Sequence, residues 1–353
     1  MNFSEQITRD QHKSISWINN LRLIAMFAVV VLHTASPLLF NYKTTPLQNW
    51  LAADVYNALT RFAVPVFVMI TGALLLSREY ALTDFLKKRL GRLILPFIFW
   101  SLVYVAYRLY NEEIFFTNDT WANTKMVLHQ LQTGSYYHLW YVYTLIGLYL
   151  VIPVISKFVN NATETELLYF LAIWMLTTLL GKPYFTRFAT AIDLHNFTGY
   201  IGYLVLGYYL AYKQFHFKDI AFKALFIYLA FVLLIAVGTY YFALKSPELS
   251  TFYYEPIGPF IIALSTSAFL TARFTVVKAA KVIGWISDKA GRFTFGIYLC
   301  HALVLTLLDL AGVNYTLFSP VLSIPFIALL CFVLSWFLIY MLSKIPFIKY
   351  LTV

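Results

Sequence analysis

The chain predicts an all-α, polytopic integral membrane bundle of about ten transmembrane helices with both termini cytoplasmic, and three observations predict it. Of its 353 residues, 61% are hydrophobic and only 12% are charged, with a mean hydropathy of +0.71, which no soluble domain of this length approaches. Apolar windows of about twenty residues, the length that crosses a bilayer, recur along the whole chain. Basic residues gather in alternate loops between those windows and so set a sidedness.

The elements follow in order. The polar tail, residues 1–16, holds no short apolar core followed by a small-residue cleavage site, so no removable signal peptide is expected and the N-terminus should stay in the cytosol. Spans are predicted at residues 17–40, 50–77, 93–110, 138–158 and 166–181, then at 199–212, 223–244, 255–275, 293–312 and 320–343. Gly181, Pro183 and Gly199 interrupt the fifth and sixth and shorten both. The longest piece outside the spans, residues 111–137, carries Trp121 and an amphipathic pattern suited to lying on the membrane surface or covering an outward cavity. Ten spans place both termini on one side. Eighteen Lys and Arg fall on that side, chiefly in residues 78–92, 213–223 and 273–292, against six opposite, while Arg22 and Arg61 lie within spans. The positive-inside rule makes the N-terminal side cytoplasmic. The formal charge of +10 therefore reflects membrane orientation, and no nucleic-acid partner is implied. Residues 1–353 read as a single membrane-embedded domain with no appended soluble domain, so any chemistry must use the membrane core. Cys300 and Cys331 fall within apolar spans and read neither as a disulfide nor as metal ligands.

Ionisable residues inside the spans carry the functional signal, because they are expensive in lipid. Arg22 and His33 share one face of the first span: eleven residues are about three turns, and they separate the two by about 16 Å along the axis. Arg89 and Arg92, one turn apart at the expected start of the third span, form a guanidinium fork suited to phosphates, although sidedness alone also explains a basic loop there. Asp54 and Arg61 share a face of the second span across about two turns. They read either as a packing pair or, for Arg61, as positive charge near His33 for a developing oxyanion. His138, Trp140 and Tyr141 open the fourth span at its outer end; an aromatic girdle explains the Trp and Tyr, whereas the His is a candidate for binding a hydroxylated acceptor. His301, mid-span in the ninth helix, reads either as a hydrogen-bonded core residue or as a supporting group behind the site. No Gly-rich Lys-Ser/Thr phosphate loop, His-Glu-x-x-His, Cys-x-x-Cys or Gly-x-Ser-x-Gly elbow is present.

These residues resemble the membrane acyltransferase 3 family of bacterial inner-membrane proteins. The resemblance rests on Arg22-x10-His33, on Arg89-x-x-Arg92 with the downstream Pro96, on HLWYVY at His138 and on GIYLCHAL ending at His301, and it spans nearly the whole chain. It implies an O-acyltransferase that passes an acetyl group from acetyl-CoA to a hydroxyl of a surface polysaccharide, lipid-linked glycan or other extracytoplasmic acceptor. It further implies His33 as the catalytic residue and Arg22, Arg89 and Arg92 as important for activity. The stand-alone form is similar to O-acetyltransferases that decorate antigens such as enterobacterial common antigen. With Arg89 and Arg92 on the donor phosphates, His33 would act as general base or transient acyl acceptor and Arg61 as oxyanion partner. No permanently bound cofactor or metal is expected; the expected partners are acetyl-CoA, a saccharide acceptor and membrane lipids. A transporter or flippase for a polysaccharide or lipid-linked glycan also accounts for Arg and His facing a cavity, as, more blandly, does a structural partner in glycan assembly.

Overall fold

Lipid offers backbone N–H and C=O groups no partner, so apolar stretches of this kind close their hydrogen bonds within helices. The computed structural model describes residues 15–182, 198–246, 249–275 and 291–352, and among these residues it is helical with no strand. The helices are α1 (Ile15–Phe40), α2 (Leu47–Thr60), α3 (Ala63–Leu75), α4 (Leu82–Tyr110), α5 (Thr120–Thr133), α6 (Trp140–Asn161), α7 (Glu164–Leu180), α8 (Ile201–Tyr212), α9 (Ile220–Lys245), α10 (Pro259–Phe274), α11 (Thr294–Leu310), α12 (Pro320–Leu342) and the short α13 (Lys349–Thr352). Seven helical stretches are long and apolar enough to cross a membrane, with α2 and α3 together forming one of them. The remaining expected spans correspond to α7, α8 and α11, which are shorter. Most of the tail (residues 1–14), Pro183, and the basic residues Arg9, Lys13, Arg187, Lys278, Lys281 and Lys289 lie outside the described residues.

Helix α1 is the hub, packing against α2, α3, α10, α11 and α12. Its inward positions carry small and branched residues, Ala25, Val29, Val30 and Ala35, all buried. By contrast α9 shows the bilayer side: Phe222, Phe226, Leu229, Leu233 and Val237, spaced three or four apart, are exposed, a lipid-facing stripe of the kind helical periodicity produces. Helices α3 and α8 approach closely, where a Cβ on Gly72 would stand 1.9 Å from the Leu204 carbonyl oxygen and one on Gly207 2.1 Å from that of Met69. Only glycine lets these backbones touch.

Two expectations change. The second span is not one helix: it breaks after Thr60 and restarts at Ala63, because Pro65 has no N–H for the Arg61 carbonyl and its ring crowds that carbonyl. The third helix starts at Leu82, eleven residues before the expected apolar edge, so Arg89 and Arg92 lie inside a helix and not at its start. Helix α5 has no buried residue. It is tied back by the Tyr143 hydroxyl donating to the Leu131 carbonyl and by Arg108 to Gln130 at 2.7 Å, and it contributes nothing to the cavity described below.

Candidate active site

Proline shapes the first half of the site. Pro37, four residues after His33, removes the helical partner of the His33 carbonyl and loosens α1 at that point. Pro65 stands in the same relation to Arg61. His33, Pro37, Arg61 and Pro65 all line a cavity of about 780 Å³. The second half comes from the turn at residues 135–139 and from α11. There the Tyr104 hydroxyl donates to the Leu299 carbonyl at 2.8 Å and accepts from Leu303 N–H at 3.1 Å, so a side chain inserts into the ladder of α11 beside His301.

Three imidazoles meet at this place. His33 and His301 stack with ring centroids 5.0 Å apart, and His138 stands edge-on to His301 at 4.9 Å. His301 Nδ1 lies 2.6 Å from the Tyr298 carbonyl oxygen, which can only accept, so Nδ1 carries the proton. A neutral His301 then has a lone pair at Nε2. That nitrogen lies 2.8 Å from His33 Nδ1, so His33 donates from Nδ1, and its own Nε2 is left as a free lone pair. His33 is half-buried and lines the cavity, whereas His301 is fully buried behind it. His138 Nε2 donates to the Leu299 carbonyl at 3.3 Å, and its Nδ1 has no partner among the described residues. Among those residues no three His, Cys, Asp or Glu side chains converge as metal ligands would.

Arg61 faces the same cavity. Its Nη2 donates to Asn57 Oδ1 at 3.2 Å, its guanidinium stacks 4.5 Å over the Tyr254 ring, and its buried Nε has no partner among the described residues. The expected face-sharing of Asp54 and Arg61 does not become an ion pair. Asp54, 1% exposed, accepts instead from the Tyr254 hydroxyl, so the carboxylate meets the guanidinium only through that tyrosine. With a cation–π contact and one neutral hydrogen bond, the guanidinium keeps donor capacity for an oxygen anion in the cavity.

The other candidates divide. Trp140 lines the cavity and is 42% exposed. Tyr141 is buried against Phe67 and Tyr298 and lines none of it, because one step along a helix turns a side chain by about 100°. His138 also lines the cavity, though at 1% exposed it sits at depth beside His301 and not on an outer rim. Arg22, Arg89 and Arg92 do not line the cavity. Arg22, near the start of α1, contacts Asn19 at 3.4 Å, and Arg89 is half-buried in α4. Arg92 is exposed. Tyr298, Tyr254, Asn57 and Tyr137, whose ring stands 5.1 Å from that of His33, were not distinguished by the sequence.

A histidine pair and an arginine at one cavity, inside a polytopic helical bundle, are groups of the kind that group transfer at a membrane uses. The chain matches the family model described as an acyltransferase domain over residues 15–340. It therefore belongs to the acyltransferase 3 family, and the protein is a membrane acyltransferase. No curated protein matches it, and no solved structure does.

Proposed function

We propose that this protein is an O-acetyltransferase of the bacterial inner membrane, which takes the acetyl group of cytosolic acetyl-CoA and places it on a hydroxyl of an extracytoplasmic or lipid-linked glycan, as enzymes that modify enterobacterial common antigen do. The observation that carries the reading is the directed chain from the Tyr298 carbonyl through His301 to His33, which leaves His33 Nε2 unprotonated at the cavity. In the reaction the acceptor hydroxyl gives its proton to His33 Nε2 while its oxygen bonds to the thioester carbonyl carbon. The C–S bond then breaks, and the CoA thiolate leaves and takes up the proton. Arg61 holds the oxyanion of the tetrahedral intermediate. Arg22 and Arg89 receive the donor's phosphates, with Arg92 adding charge at the entrance. Trp140 and His138 bound the acceptor's side.

Release of free CoA by detergent-purified protein tests this, with a candidate glycan supplied. His33→Ala should lower turnover by about 10²- to 10⁴-fold, the usual worth of a general base, and leave the protein folded and inserted. The double variant Arg89→Ala, Arg92→Ala should need far more acetyl-CoA. Full activity of His33→Ala overturns the scheme, and glycan binding without any CoA release points to a carrier of glycans.

A further inference from the structure

We propose that Asp309, Asn314 and Tyr315 form a saccharide subsite at the mouth of the His33 cavity, selective for an uncharged stretch of at least two sugar rings. The inference rests on the transfer to a hydroxylated acceptor proposed above and adds what that acceptor must look like. All three residues line the cavity together with Thr306, Tyr136 and Trp140.

The local sequence builds the mouth. Helix α11 ends in LDLAGVNY, where Gly312 has φ +77°, Gly312 N–H bonds the Asp309 carbonyl at 2.9 Å and Val313 N–H bonds the Leu308 carbonyl at 2.8 Å. This pairing is a Schellman close, which needs the left-handed glycine, and after it residues 313–315 line the cavity. The Asp309 side chain breaks a local rule: a carboxylate in the last turn opposes the helix dipole, and among the described residues it has no ion-pair or hydrogen-bond partner. The side chain is exposed and lines the cavity, so its oxygens are open to a ligand's hydroxyl donors. Asn314 Oδ1 is already used, accepting from Thr316 N–H at 3.0 Å and Thr316 Oγ1 at 2.7 Å, so its two amide protons remain to donate. Tyr136 and Thr306 share one hydrogen bond at 3.1 Å.

A carboxylate acceptor, an amide donor and exposed aromatic faces in one mouth match a sugar, whose rim offers adjacent hydroxyls and whose faces are apolar. The carboxylate at the same time rejects an acidic sugar or a phosphate at this position. Length follows from the helix: eight residues from His301 to Asp309 rise about 12 Å, more than one sugar ring spans. His301 lies 2.8 Å from His33, so an acceptor held at Asp309 while its hydroxyl meets His33 covers a span of that order, which two rings bridge.

Calorimetric titration of the nanodisc-embedded protein tests this with mono-, di- and trisaccharides of glucose and of N-acetylglucosamine, and with uronic-acid counterparts. At least one neutral di- or trisaccharide series should bind tenfold or more tighter than its monosaccharide and than its acidic counterpart. Asp309→Asn should remove the discrimination against the acidic sugar, and Asn314→Ala should weaken neutral binding severalfold. No saturable binding of any neutral di- or trisaccharide, or an Asp309→Asn variant with unchanged selectivity, overturns the subsite. The two proposals fail separately: saccharide binding retained in a protein that releases no CoA sinks the transfer chemistry alone, whereas CoA release with unchanged acceptor selectivity in Asp309→Asn sinks the subsite alone.

Discussion

The imidazole of His33 owes its working nitrogen to a backbone carbonyl. Because the Tyr298 carbonyl must accept from His301, the two histidines have one consistent proton arrangement, and in the proposed transfer His301 is a positioning residue that also offers an acceptor to the imidazolium. His301→Leu should lower kcat by about 10²-fold with the KM for acetyl-CoA unchanged. His301→Gln, whose carbonyl oxygen can accept from His33 Nδ1–H, should recover much of the loss; equal damage from both would show that His301 merely fills space. Each ionisable member of this site was legible as a costly residue in an apolar span. Their meeting was not, since His33 and His301 are 268 positions apart and periodicity reports only which face a residue occupies. Tyr254 and Tyr298 are hidden for a different reason. They are two of 27 tyrosines, and what Tyr298 gives His301 is a carbonyl that every residue possesses.

Prolines inside these helices leave particular carbonyls without a helical donor. Pro37, Pro65, Pro96, Pro153 and Pro325 each follow by four residues the position whose carbonyl they leave without its helical donor, namely His33, Arg61, Arg92, Tyr149 and Val321. At Val321 the gap is filled by the Tyr56 hydroxyl at 2.7 Å, a substitution of donors that lipid-buried helices require. The sequence showed these prolines but not the break in the second span, because an apolar run of residues 50–77 has the same hydropathy whether it is one helix or two. Close packing also carries a measurable signature. Gly207→Ala sets a methyl group against the Met69 backbone, which has no room to yield, and should destabilise by about 1–3 kcal/mol as overpacking does, seen as a lower melting temperature in detergent. Gly147→Ala, with nothing within 4 Å of the new carbon, should leave stability unchanged or raise it by up to about 1 kcal/mol, with the melting temperature held or raised. Equal melting of both variants would mean that the α3–α8 contact is looser than its geometry states.

At the level of the whole molecule, the cavity is lined by Phe40 at the C-terminal end of α1, by Pro256 and by residues 313–315, while Arg22 lies toward the N-terminal end of α1. The distribution of basic residues predicts that the first end faces outward. Cysteine placed at Lys43 or Asn314 should react with an impermeant maleimide on intact cells, and cysteine at Lys88 or Lys157 only after permeabilisation; native Cys300 and Cys331 are fully buried and should stay silent. The reverse pattern would invert the sidedness. Class and span placement came through in the sequence because hydropathy and charge are local. Which end holds the cavity did not, since it depends on how α1, α11 and the turn before α6 converge.

One feature of that convergence has an electrical meaning. Arg22 does not line the cavity, and buried aromatic side chains such as Tyr141, which packs on Tyr298 and Phe67, lie outside its lining as well, so the cavity and the Arg22 region are two separate polar regions. Water filling both would come close to joining the compartments through a chain of ionisable groups, and the membrane would lose its proton gradient through the enzyme. Aromatic packing between them works as an insulator between two wetted electrodes, one that an uncharged acyl group crosses far more easily than a proton or an ion does.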